Sequence, residues 1–162
     1  MANAILWAAR PTAEAVMAAD DVAPAGLRNA TTAQMAAGLL GAEEITNGTG
    51  LFTHADFLLK LHDFDAAPTA GDYLDLHIFY EFDALWGDGE EGDLAGTWVT
   101  SPQTLAGRFV LAAVDGIQHI QLLGVPIGPH DFRCALKGVV GQDIADTDGS
   151  LLYVYRYSME LQ

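Results

Sequence analysis

An antiparallel all-β sandwich is the fold this sequence predicts, and three observations predict it. From residue 43 onward, apolar residues recur with a period of two, the spacing of half-buried strands. The alternating runs are short and are separated by Gly, Pro, Asp and Asn, the residues that make turns. Between them lies no amphipathic stretch of about 10–15 residues of the kind that crosses over between parallel strands. About eight strands are expected on this pattern, and among eight-strand solutions a jelly roll is preferred.

The clearest strand is GDYLDLHIFYEFD (71–83). Its Leu74, Leu76, Ile78, Tyr80 and Phe82 point one way, and Tyr73, Asp75, His77, Phe79, Glu81 and Asp83 point the other. In HADFLLKLHDF (54–64), Ala55, Phe57, Leu59 and Leu61 share one face, while Asp56, Leu58, Lys60 and His62 share the opposite one. Asp115-Gly116 is a favoured two-residue turn, so residues 107–123 are expected to close as a type I′ hairpin that pairs Val114 with Ile117. That register puts Phe109, Leu111, Ala113, Ile120 and Leu122 on the core face, with Gln118 at its edge. DFRCALKGV (131–139) sends Phe132, Cys134 and Leu136 inward and Arg133 and Lys137 outward, which makes Cys134 a buried small hydrophobe. LLYVYRYSMEL (151–161) sets Leu151, Tyr153, Tyr155, Tyr157, Met159 and Leu161 against Leu152, Val154, Arg156, Ser158 and Glu160. Short runs at 43–47 and 95–100 complete the set.

Residues 1–42 have a different character from the β-sandwich domain expected over 43–162. They are rich in Ala, Thr, Gly and Asn and hold one aromatic, Trp7. TAEAVMAADD (12–21) and TTAQMAAGLLG (31–41) can each form a short helix, with Thr12 and Thr31 or Thr32 as N-caps and Gly41 as a stop. Two readings stand for this N-terminal arm. It is a poorly ordered leader, or it gains order on a neighbouring subunit with Trp7 as its anchor.

Composition excludes whole classes of function. At 162 residues the chain can bury roughly 70% of its unfolded surface as one domain. With 51% hydrophobic and 18% charged residues it is not intrinsically disordered in bulk. Twenty-two acidic against seven basic residues give a net charge of -15, a field that repels phosphate backbones and anionic lipids, so neither nucleic acid nor membrane is an expected partner. The longest stretch without a charged residue spans 15 residues, 116–130, and its two His, two Gln and two Pro do not suit a bilayer. The start MANAILWAAR has no basic residue before its apolar run, so no secretory signal is expected. Cys134 is the single cysteine, which rules out an internal disulfide.

No motif points to catalysis or to a cofactor. His54, His62, His77, His119 and His130 show no H-x-H, H-E-x-x-H or facial-triad spacing, and there is no G-x-S-x-G. The acidic loops at 83–93 and 143–149 offer carboxylates and glycines, as calcium loops do, without EF-hand spacing, and they read as solvated turns. On the outer face of the strand at 73–83, Asp75, Glu81 and Asp83 alternate with Tyr73, His77 and Phe79. Such a face serves as a subunit interface or plain surface, and it is also what a carbohydrate-binding module or a glycosidase presents.

The order of these features resembles the capsid-decoration, or cement, proteins of tailed bacteriophages. The resemblance rests on an Ala/Asn-rich arm with an early Trp, followed by NGTGLFTHADFLLKL (47–61) and AGDYLDLHIFYEFDA (70–84) with its acidic, Gly-rich continuation. GVPIGPHDFRCALKG (124–138) and LLYVYRYS (151–158) extend it, so that it covers about 47–158 and the arm only in character. The family pattern has Asp-Gly, Asn and an aromatic after the third strand, where this chain has Asp83-Ala84-Leu85-Trp86-Gly87-Asp88-Gly89. The resemblance implies a non-enzymatic virion protein made in the host cytoplasm, which binds the major capsid protein outside the assembled shell, or takes a related tail or neck position. It also implies a homo-oligomer, trimer or dimer, without cofactor, metal or catalytic residues. Trp7, Tyr73, Phe79 and Trp86 are the candidate interface residues. A carbohydrate-binding β-sandwich module is the alternative.

Overall fold

A computed structural model describes residues 5–7, 14–17, 27, 30–41, 44–83, 85–86, 102–145 and 149–161, with the backbone alone at 5–7, 16–17, 85–86 and 159–161. In chain order the elements are β1 (Ile5–Trp7), β2 (Glu14–Met17), α1 (Thr32–Ala37), β3 (Leu39–Leu40), β4 (His54–Leu61) and β5 (Tyr73–Phe82). There follow β6 (Leu85–Trp86), β7 (Leu105–Val110), β8 (Gln118–Pro126), β9 (Phe132–Val139), β10 (Leu151–Tyr157) and β11 (Met159–Leu161).

The pairing has a simple logic. β2 pairs with β10, β3 with β9, β4 with β8 and β5 with β7, all antiparallel. These are the rungs of one long antiparallel ribbon. Wrapping the ribbon sends alternate rungs to opposite sheets, β2-β10-β4-β8 in one and β3-β9-β5 with β7 beyond β5 in the other. Contacts of β10 with β4 and of β9 with β5 complete the two sheets. The result is the strand order of an eight-strand jelly roll. β6 folds back on the end of β5, and β1 pairs with β11.

The core lies between the sheets and is made by the alternating positions. β4 contributes Ala55, Phe57, Leu59 and Leu61, β5 contributes Leu74, Leu76 and Ile78, and β9 contributes Phe132, Cys134 and Leu136. In β10 the smaller set faces inward, Leu152 and Val154, while Tyr153 and Tyr155 stay half-buried outside. Cys134 is fully buried, and burial pushes its thiol far above the usual range, so it is inert packing.

Three expectations about connections change. Residues 107–123 do not form a hairpin, because β7 pairs with β5 and β8 with β4, in different sheets. The segment between them is a corner held by Gln118. Its Oε1 accepts from the Ala112 amide at 2.9 Å, and its Nε2 donates to the Ala112 and Val114 carbonyls at 3.0 and 3.2 Å. One buried side chain thus satisfies backbone groups that a hairpin ladder would have paired. Gly116 takes positive φ at +127° and Asp115 does not, so the turn is not type I′. Within 12–21, residues 14–17 are extended as β2, because the open edge of β10 supplies hydrogen-bond partners that a four-residue helix lacks. Within 31–41, α1 forms as expected, but it stops at Gly38 rather than Gly41. Thr31 and Gln34 make a reciprocal capping box. Ile45 makes an isolated bridge to Phe132, and 95–100 lies outside the described residues.

Candidate binding surface

The outer face of the β9-β5-β7 sheet can be read row by row from the register. Val139 and Val110 flank Tyr73, Lys137 and Arg108 flank Asp75, Ala135 and Leu105 flank His77, and Arg133 lies beside Phe79. Directly paired residues share a face, so the two cations bracket the carboxylate. Arg108 grips Asp75 with both prongs, Nε to Oδ1 at 2.6 Å and NH2 to Oδ2 at 2.8 Å. Its guanidinium carbon lies 3.6 Å from the centroid of the Tyr73 ring, so a planar cation is stacked on the aromatic while forked onto the acid.

One strand-step further along, His77 is buried with Nδ1 3.0 Å from the Thr104 hydroxyl oxygen and its ring stacked on Phe79 at 6.5 Å. Burial lowers its pKa below the usual 6.5; Asp75 opposes that shift and Lys137 reinforces it. The ring is therefore neutral at pH 7. Above this row runs a groove of about 450 Å³, whose lining includes Tyr73, Asp75, His77, Leu105, Lys137 and Ala36 of α1. The volume falls in the range of small-ligand sites.

Phe79 corrects an expectation. It is not on an open face with Tyr73 but 1% exposed, clustered with Leu40 and Ala135. The cause is β3: pairing Leu40 with Ala135 lays a leucine over the outer side of the sheet at that end. Tyr73 remains half-buried at the groove. Trp7 lies in β1 opposite Met159, and Trp86 in β6 opposite Glu81, but their side chains fall outside the described residues.

A second surface lies at the other end of β5. Asn47 is fully buried, donating from Nδ2 to the Phe52 and Gly128 carbonyls at 3.1 and 2.6 Å and accepting at Oδ1 from the Phe52 amide at 3.2 Å. Asp131 Oδ1 accepts from the amides of Asn47 and Gly48. These bonds hold a tight turn in which Leu51 has φ +48° and is 57% exposed. On the other side of Asp131, its carbonyl accepts from the Glu81 amide at 2.8 Å. Next to it Phe82, 52% exposed, leans on His130 with ring centroids 4.4 Å apart. Asp83 also takes positive φ, +55°.

Around this tip, Glu44, Glu81 and Asp131 bring carboxylate oxygens within 4.8 Å of one another, and Arg133 stands 4.0 Å from Glu44. They are the described carboxylates best placed to meet a cation, although calcium takes six to eight oxygens and Asp131 already serves two amides. Of the two acidic loops read from the sequence, residues 84, 87–93 and 146–148 lie outside the described residues. Neither the tip nor the Arg108–Asp75–Lys137 row was anticipated. The NGTG turn at 47–50 marks a bend but not what it displays, and a cross-strand row exists only once the register is known. No protein family, curated protein or solved structure matches the chain.

Proposed function

We propose that the chain is a non-enzymatic virion structural protein that binds the outer surface of an assembled capsid and stabilises it, with a tail or neck position as the near variant. One observation carries the reading beyond the sequence resemblance: large apolar side chains stand exposed at both ends of the sandwich. Leu51 and Phe82 project at one end, and Val110 and Val139, 57% and 59% exposed, flank Tyr73 at the other. Grouped apolar exposure of this kind marks surfaces that bind macromolecules. The jelly roll hosts many functions, so it supports the reading only as a compatible scaffold. The arm supports it further, since β1 and β2 lie at the margin of the domain, where a segment can extend to a neighbour.

The test is occupancy and heat stability of undecorated shells after addition of purified protein. Wild type is expected to bind and to raise the melting temperature of the particle. Trp7→Ala, which leaves β2 and its partner strand β10 untouched, is expected to weaken binding by about 2 kcal/mol if the indole anchors the arm. No binding by the intact protein would reject the assignment. The groove favours a second reading, a carbohydrate-binding module, because it joins an aromatic ring to charged groups. Selective binding on a glycan array, lost in Tyr73→Ala, would favour that reading instead.

A further inference from the structure

The chain has three asparagines, Asn3, Asn29 and Asn47, and only Asn47 is followed by glycine. An Asn-Gly pair is prone to lose the side-chain amide, because glycine carries no Cβ to hinder attack by its own nitrogen on the preceding side chain. The reaction needs three freedoms. The Gly48 nitrogen must shed its proton, the Asn47 side chain must rotate until Cγ meets that nitrogen, and water must arrive. The folded turn withholds all three. The Gly48 amide donates to Asp131 Oδ1 at 2.6 Å. Asn47 Nδ2 commits both its hydrogens, to the Phe52 and Gly128 carbonyls at 3.1 and 2.6 Å, while Oδ1 accepts from the Phe52 amide at 3.2 Å. Its backbone carbonyl accepts from the Leu51 amide at 2.8 Å, so main chain and side chain are both pinned, and the residue is fully buried.

We propose that Asn47 is a latched modification site: its amide is lost only when this turn opens, and the loss then keeps the turn from closing again. In the open turn the Gly48 nitrogen bonds to Cγ of Asn47 and the Cγ–Nδ2 bond breaks, ammonia leaving with the proton that the nitrogen gives up. Water then adds to either carbonyl of the resulting succinimide and leaves aspartate or isoaspartate at position 47. Neither product fits the closed turn. A carboxylate oxygen in place of Nδ2 would face the Phe52 and Gly128 carbonyls, acceptor against acceptor, and would leave both without their donor. It would also add a negative charge beside the Asp131 carboxylate that holds the residue's own amide. Isoaspartate further lengthens the main chain by one methylene. The open turn carries Leu51 with it, one of the exposed apolar residues proposed above to meet a shell. The chemistry itself needs no shell and stands or falls apart from that reading.

Peptide mass spectrometry on the full chain, aged in mildly alkaline buffer and in parallel in concentrated urea, tests it. Asn47 is expected to deamidate at least about tenfold more slowly in buffer than in urea. Gly48→Ala places a Cβ 3.4 Å from Asp131 Oδ1, an ordinary contact, so it should fold as wild type does and slow the reaction in urea. Asp131→Ala releases the Gly48 amide and should speed the reaction in buffer while leaving the urea rate unchanged. If that variant loses its fold, wild type in sub-denaturing urea replaces it, and the rate should rise in step with hydrogen exchange of the Gly48 and Leu51 amides. Chains modified at position 47, returned from urea to buffer, are expected to lack exchange protection at those two amides, which unmodified chains regain. Equal rates in buffer and urea, or a rate that Asp131→Ala lowers or leaves unchanged, would overturn the proposal. So would a rate indifferent to exchange in the replacement experiment, or modified chains that regain protection.

Discussion

The two ends of the outer face of β5 carry the same alternation and meet opposite fates. At one end Phe79 and His77 are buried, sealed by Leu40 of β3 lying on Ala135. At the other end Tyr73 stands half-buried between two exposed valines, with the forked Arg108 on its ring. Alternation within a strand assigns a residue to a face; whether that face is covered depends on segments distant in the chain. Here the cover comes from residues more than 30 positions earlier, so identical aromatic spacing yields core at Phe79 and candidate interface at Tyr73.

The largest effect separating the two ends is a side-chain deletion at each. Phe79→Ala should lower unfolding free energy by about 3–5 kcal/mol, the cost of a cavity at a buried phenylalanine. Equal urea midpoints for Phe79→Ala and Tyr73→Ala would break the comparison. Leu40→Ala should cost about 2–3 kcal/mol by opening the same cluster. Combined with Phe79→Ala it should cost less than the sum by about 1 kcal/mol, since the two side chains touch one cluster; strict additivity would mean that Leu40 is not the cover. At the open end the expensive position is backbone. A Cβ on Gly138 would lie 2.0 Å from the Tyr73 carbonyl oxygen, so Gly138→Ala should cost about 2 kcal/mol through a forced shift of β9 from β5. Tyr73→Ala itself should cost about 1 kcal/mol.

The smallest effect is a pH dependence at the boundary between the ends. Because burial holds the His77 pKa below 6.5, the folded protein binds fewer protons than the unfolded chain just below that value. Its contribution is therefore fully present above pH 6.5 and is lost as pH falls through 6.5 and on through the lowered folded value. Urea midpoints at a series of pH values should show a steeper acid-side decline in wild type than in His77→Asn. Parallel curves would contradict the assignment.

Most of the jelly roll's central strands were legible in the sequence, because each has one wet and one dry face and so shows the period directly. The inward sets of β4 and β9 are the expected ones in full, and in β5 Leu74, Leu76 and Ile78 are buried while Phe82 escapes at the strand end. Connections were harder to read. Asp115-Gly116 has the composition of a tight hairpin, yet the buried Gln118 bonds the corner into a crossing between sheets, which no local propensity encodes. β2 was hidden for a related reason: Ala-rich 12–21 favours helix locally, and the edge of β10 overrides it. The binding surfaces were only half visible. Tyr73 was identified from its face, but Arg108 and Lys137 join it only through register, and Leu51 only through the buried Asn47 and half-buried Asp131 that shape its turn.

The central claim is that these exposed ends and the arm attach the protein to the outside of a shell, and an electron-microscopy map of the native particle tests it most directly. The account predicts jelly-roll density on the outer surface, with the N-terminal segment reaching a neighbouring subunit. A particle whose map contains no such domain would contradict it.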